Sequence, residues 1–465
     1  MLEIIVCKFG GSSLADAEQI RKAEAIIRAD PRRRVVVVSA PGKAEGRKYK
    51  VTDMLYNLYF QTHDADNKEV DYKKIDDMSA SEILNEIKAI YLEISSGLGL
   101  DGNTYSQCMS ELEQLLADSS SAHHDLASRG ENFNARLIAE YLDADFADAA
   151  DLIYITDESP DGDNEATMQR ISELKYRERK VVISGFYGTT SLQGRVIRTF
   201  ERGGSDLTQT DVAAGLYEAG VDVICENRTD QPGIRCCDPK LFPEEERDSI
   251  RTIKKMSFRE TRELTYMGFE VFNDKAIGPA RRRNIPIYVL DSKNPDHDSG
   301  TCISSEYDES QLIRGIAGTN GFCSFNIEKY MMDGIVGFGR DLLDIFARRG
   351  LSYEHAPSGI DNISVIIEQK QVEGIEEEIK EEIKRKMNPD HVDILPKLAL
   401  IAVVGEGMRH HVGLASQITT ALADAGVNIE VLNQGASESN IIVGVRDCDY
   451  KPAVKALYNE FFGGR

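Results

Sequence analysis

An α/β fold with a mostly parallel sheet is predicted for the first two-thirds of this chain, followed by two smaller α/β units. Three observations predict it. Short β-branched runs alternate with helical patterns from residue 1 to about 305, the pattern changes beyond about 310, and residues 350–354 recur at 426–430, a shift of 76. Strand–helix alternation argues for parallel strands joined by crossover helices. A fixed-period recurrence argues for a duplicated structural unit.

The first strands are expected at residues 3–8, 34–39, 180–184, 221–226 and 285–290, with helices between them, for instance at 132–142 and 208–219. The stretch 61–124 is polar, acidic and helix-favouring, and is expected to be a surface excursion without chemistry. In the last third, a helical stretch at 339–349 precedes Gly350-Leu351-Ser352-Tyr353-Glu354, then Gly359 and a strand at 363–367. The second copy has a helix at 412–425, Gly426-Val427-Asn428-Ile429-Glu430, Gly435 and a strand at 441–445. Each copy reads strand, helix, strand, strand, helix, the order of a ferredoxin-like unit. The domain boundaries expected are therefore 1–305, 312–395 and 396–465.

At 465 residues the chain exceeds what one ordinary core accommodates. A net charge of −23 argues against a nucleic-acid or membrane surface as partner. No run approaches the roughly 20 apolar residues of a membrane span, and the first residues enter a strand without a basic, cleavable leader, so a cytoplasmic location is expected. Eight scattered cysteines do not make a disulfide framework. They are expected to be reduced thiols, and no metal site is expected among them.

Four constellations can carry chemistry. Lys8-Phe9-Gly10-Gly11-Ser12-Ser13 follows the first strand and precedes a helix starting near Asp16. The glycines let the backbone approach a phosphate, and Lys8 can neutralise a transferring phosphoryl group. By itself such a turn is equally compatible with an ordinary tight turn. Arg202-Gly203-Gly204-Ser205-Asp206 follows Gly185-Phe186-Tyr187-Gly188 and opens the helix at 208–219. Arg202 suits bidentate binding of a carboxylate, while Asp206 either orients a reacting group or caps the helix. Ser128-Arg129-Gly130-Glu131 opens another helix, where Glu131 either meets a substrate ammonium or complements the helix dipole. Thr229-Asp230, with Gly233 and Asp238-Pro239 beyond, lies past a strand end, where nucleotides are commonly held.

In order and spacing these segments, with the tandem repeat, resemble the aspartate kinase family over essentially the whole chain. The monofunctional form is the nearest in character, on Glu226-Asn227 and Glu263-Leu264-Thr265-Tyr266-Met267-Gly268. The resemblance implies an amino-acid kinase fold, an α/β/α sandwich, followed by two ACT domains. It implies an enzyme that phosphorylates the side-chain carboxylate of L-aspartate with ATP and Mg2+. Lys8 and Asp206 would be the catalytic pair, and Thr52, Glu131 and Arg202 would hold aspartate. Gly10, Gly11, Ser12, Gly203, Gly204, Ser205, Thr229, Asp230, Arg235 and Lys240 would line the nucleotide. An effector amino acid, lysine in preference to threonine, would bind near Met332, Asp333, Gly337 and Phe338, and the ACT units would build a homodimer or larger homo-oligomer. Alternatives are a related kinase acting on another amino-acid carboxylate, and an amino-acid-sensing protein with weakened turnover. The chain departs from the family at Arg228, Pro232, Arg235, Lys240, Glu270 and Asn273, where Arg228 or Arg235 would offset the negative charge of Glu270.

Overall fold

The structure, a computed structural model, describes residues 3–63, 70–201, 203–269, 272–294, 300–306, 308, 311–435 and 439–463. Arg202 and Glu270, both singled out in the sequence, lie outside the described residues. The chain divides into two compact units. The first comprises residues 1–234, 252–262 and 270–307, and the second 235–251, 263–269 and 308–465. Segments 235–251 and 263–269, expected in the N-terminal domain, thus belong to the second unit.

The first unit is organised by an eight-stranded sheet. In chain order its strands are β1 (Ile4–Phe9), β2 (Arg33–Val38), β3 (Asp145–Ala147), β4 (Val181–Ser184), β7 (Val223–Thr229), β8 (Lys255–Ser257), β9 (Ile287–Asp291) and β10 (Thr301–Ser304); β5 (Tyr187–Thr189) and β6 (Ile197–Thr199) form a separate hairpin. The spatial order is β3-β4-β2-β1-β7-β9-β10-β8. All neighbours are parallel except β9 and β10. β1 and β2 read as β-branched runs without alternation because both faces are covered, and Ile5, Val6, Val36 and Val37 are fully buried. From β1 the chain winds outward through β2, and later returns to place β7 on the opposite side of β1. The crevice at the C-terminal ends of β1 and β7 is therefore the topological switch point, where open α/β sheets hold ligands.

The excursion expected at the surface is partly core. Helix Ala80–Gly97, capped by Ser79 and Glu82, turns Ile83, Ile87, Ile90, Tyr91 and Ile94 into a hydrophobic core cluster with β1 and β2. These positions follow helical spacing beneath an acidic overall composition. Tyr91 also donates a hydrogen bond at 2.8 Å to the Gly130 carbonyl, in the segment that carries Glu131.

The second unit holds a six-stranded antiparallel sheet of β11 (Gly315–Glu328), β12 (Tyr353–His355), β13 (Asn362–Glu368), β14 (His391–Val404), β15 (Val431–Asn433) and β16 (Asn440–Arg446), ordered β12-β13-β11-β14-β16-β15. β11 and β14, 14 residues each, run through both repeats. The far half of β11 pairs with β13, and the far half of β14 pairs with β16. Between them, Gly315–Asn320 pairs with Ala399–Val404, and Ser324–Glu328 with His391–Leu395, across a bulge at Asn320–Ser324. The second repeat is completed by the first half of β11. The boundary expected at 395/396 falls inside β14. No described helix is long and apolar enough to cross a membrane.

Candidate active site

Lys8 is the fifth residue of β1, and β1 pairs in register with β7 so that Lys8 stands beside Asn227. Helix Gly204–Glu218 packs over both strands, preceded by Gly203 at φ +81, a conformation that favours glycine. Its third residue, Asp206, points back to the crevice. Lys8 Nζ and Asp206 Oδ1 are 2.7 Å apart. Asn227 Nδ2 donates to the same oxygen at 2.8 Å, and the backbone N–H of Asn273 donates to Oδ2 at 3.1 Å. Asp206 is therefore a triply held carboxylate and not merely a helix cap.

Gly10 and Gly11 lead into a single 3-10 turn, Gly11–Leu14; the longer helix, Ala17–Ala29, starts later and is capped by Asp16. Gly11 is required by close approach, since a Cβ there would lie 2.8 Å from the Ala40 carbonyl oxygen. Gly42 N–H donates to Gly11 O at 2.8 Å, and Gly10 N–H to Arg228 O at 3.0 Å. Ser12 is exposed on the turn. At the next strand end, Ser39 Oγ and Ser205 Oγ share a hydrogen bond of 3.1 Å, and a Cβ on Gly185 would meet the Ser205 side chain at 2.6 Å.

Glu131 lies in the first turn of helix Arg129–Leu142. It is 4% exposed, and its Oε2 has no hydrogen-bond partner among the described residues. Burial pushes its carboxyl up to about 8, opposed by the backbone N–H groups of Ala40 and of Glu131 itself. Asn134, one turn on and fully buried, donates to Ser39 O at 2.8 Å while its own Oδ1 stays unpaired. Thr52 is the second residue of helix Val51–His63 and is half-buried.

The loop at Ser39–Gly42 thus joins the glycine turn, the Ser205 segment and the Glu131 helix. Sequence reasoning missed it, along with Asn134 and Asn227. A polar Ser-Ala-Pro-Gly run directly after a buried strand was the available signal.

On the nucleotide side, Thr229 ends β7 and its hydroxyl donates to Asp230 at 3.2 Å. The Arg228 side chain does not face the crevice. It is wholly buried on the other face of β7, where Nη2 contacts Glu226 Oε2 at 2.8 Å and Nη1 donates to the Asn294 carbonyl at 2.7 Å. Arg33 also reaches Glu226, at 3.0 Å. Arg235 and Lys240 belong to the second unit. Arg235 donates to the Ile250 carbonyl, and Lys240 is exposed on the turn Pro239–Leu241. Among the effector candidates, Met332 and Phe338 are core residues of the first repeat, Gly337 precedes helix Phe338–Ala347 at φ +85, and Asp333 is exposed.

A mostly parallel sheet thus carries a lysine–aspartate pair and close glycine turns at its switch point, and the amino acid kinase family matches residues 3–291, while an ACT domain matches 401–461. Aspartokinase 3 of Bacillus subtilis is 36% identical over 99% of both chains. Aspartokinase 1 of Arabidopsis thaliana, a chloroplast protein, is 29% identical over 98% of this chain and 80% of its own. The crystal structure of Clostridium acetobutylicum aspartate kinase aligns over 100% of both chains at 37% identity, with a TM-score of 0.81. Escherichia coli aspartokinase III, in complex with aspartate and ADP, shares the fold at 22% identity and a TM-score of 0.77, over 99% of this chain and 100% of its own. The chain belongs to the aspartokinase family, whose members are enzymes.

Proposed function

We propose that this enzyme transfers the γ-phosphoryl group of ATP to the side-chain carboxylate of L-aspartate, giving 4-phospho-L-aspartate and ADP. The observation that carries this reading is the Lys8–Asp206 pair, 2.7 Å apart at the switch point of the sheet. A carboxylate oxygen of aspartate attacks the γ-phosphorus and the bond to the bridging oxygen of ADP breaks. The acceptor is already ionised near neutral pH, so no general base is needed. Lys8 offsets charge on the transferring group, and Asp206 orients Lys8.

Glu131 fits the substrate ammonium: a cation beside its open, buried oxygen would favour the ionised carboxylate. Thr52 and Arg202 complete the aspartate site. The backbone at Gly10–Ser12 and Gly203–Ser205 lines the phosphates, with Thr229 and Asp230 toward the nucleoside. Mg2+ would neutralise the β- and γ-phosphates. Mg2+ often keeps waters and phosphate oxygens as ligands, so it would need no dedicated protein cage.

The ACT repeats would bind an end-product amino acid that restrains activity. Lysine is the preferred effector, since E. coli aspartokinase III has been crystallised with lysine and aspartate. The loop at Met332–Phe338, with Asp333 exposed, would contribute to that site, and ACT pairing would join two copies of the chain. Release of ADP is the decisive assay, run with aspartate, glutamate and other amino-acid carboxylates, with lysine and threonine titrated separately. Turnover with aspartate alone, lowered by lysine, is expected. Preference for another acceptor would overturn the substrate assignment, and indifference to both amino acids would overturn the regulatory one.

A further inference from the structure

Asn227 is fully buried in the middle of a crevice otherwise built for charge. Its amide orientation follows from its partner. Asp206 as a carboxylate can only accept, so the Asn227 NH2 group faces Asp206 Oδ1, at 2.8 Å. The amide oxygen is left without a donor among the described residues. Glu226 and Arg228, its neighbours in β7, point to the opposite face and pair with each other, so neither serves Asn227.

Three chain segments therefore fix one carboxylate. Lys8 and Asn227 share Oδ1, from adjacent strands at matching register, and the Asn273 N–H holds Oδ2. With both oxygens held, the carboxylate plane cannot turn, and the Lys8 ammonium has one resting place. Removing the Asn227 donor leaves Lys8 as the only partner of Oδ1 among the described residues. A buried position needed only for packing would be better filled by an apolar side chain, which leaves no unmade hydrogen bond.

We infer that Asn227 is a positioning residue for phosphoryl transfer, holding Asp206 so that Lys8 stays aimed at the transferring group. The inference rests on the proposed roles of Lys8 and Asp206. Asn227 touches neither substrate in this account, so its loss acts on the transition state through Lys8 and hardly on ground-state binding.

The test compares Asn227→Leu and Asn227→Asp with wild type in the ADP-release assay, alongside thermal unfolding. Both variants are expected to lose kcat by about ten- to hundred-fold, the scale of a small misplacement of a catalytic group. KM for ATP and aspartate should stay within about two-fold of wild type. Asn227→Leu should unfold at the same temperature as wild type or higher, because the orphaned amide oxygen is gone. Unchanged kcat, or a kcat loss matched by a collapse of the folded fraction in both variants, would overturn the inference. If wild type ignores aspartate but phosphorylates another carboxylate, the substrate reading fails alone and the same variants are compared on that acceptor.

Discussion

Lys8 Nζ and Asp206 Oδ1 stand 2.7 Å apart, and both side chains are nearly closed to solvent. A close pair in so sheltered a place interacts more strongly than it would in water. Lys8→Met should lower kcat by about 10²- to 10³-fold, the usual effect of removing one group that stabilises developing charge. Asp206→Asn should fall similarly, because it leaves Lys8 without its carboxylate. Steady-state kinetics with ATP and aspartate would measure both, and a Lys8→Met enzyme within a few-fold of wild type would remove Lys8 from the mechanism.

Glu131 makes stability depend on pH in a definite direction. Its folded-state carboxyl is raised from 4.5 to about 8, chiefly by burial. The fold favours the protonated form, so this group's stabilising effect is complete below about pH 4.5 and is lost as pH rises through 8. Glu131→Gln cannot ionise. Its unfolding free energy, relative to wild type without ligands, should rise between pH 5 and pH 8.5, by up to a few kcal/mol at about 1.4 kcal/mol per pH unit. The same variant should bind aspartate more weakly. A flat difference across that range would show that Glu131 is not held protonated.

Gly11 is fixed by proximity. A Cβ at that position would sit 2.8 Å from the Ala40 carbonyl oxygen and 3.2 Å from the backbone of Gly42, neither of which can move aside as a flexible side chain could. Gly11→Ala should cost about 1–3 kcal/mol by overpacking. It should also raise KM for ATP, because the loop it displaces joins the turn at Gly10–Ser12. Denaturant unfolding and ATP kinetics are the readouts, and an unaltered KM would detach this turn from the nucleotide.

Arg228 is structural by its contacts. It shares the buried Glu226 with Arg33 and ties down the carbonyl of Asn294. Arg228→Met should destabilise by about 3–5 kcal/mol, the cost of breaking a buried ion pair. In the molecules that remain folded, KM for ATP should not change. A stable variant with weakened ATP binding would return Arg228 to the nucleotide site.

Much of this arrangement could be read before any coordinates. Buried strands announce themselves through β-branched runs, and Lys8, Gly10 and Asp206 fall where such strands and helices end. What could not be read depends on pairing across long separations. Lys8 stands beside Asn227 and Asp206 only because β7 returns to lie beside β1, and Arg228 looks like a surface cation until its strand is given a face. The helical character of Ala80–Gly97 was read but its buried face was not, because its acidic composition hid isoleucines spaced at three and four residues.

The two long strands of the second unit have a practical consequence. Because β11 and β14 each serve both repeats, no single cut in the chain yields two self-sufficient modules. A fragment that starts at residue 396 would expose the flank of β14 where Gly315–Asn320 should lie, and such bare edges invite aggregation. The repeats would have to be expressed, mutated and inherited as one body, and a change at the bulge from Asn320 to Ser324 would be felt in both at once.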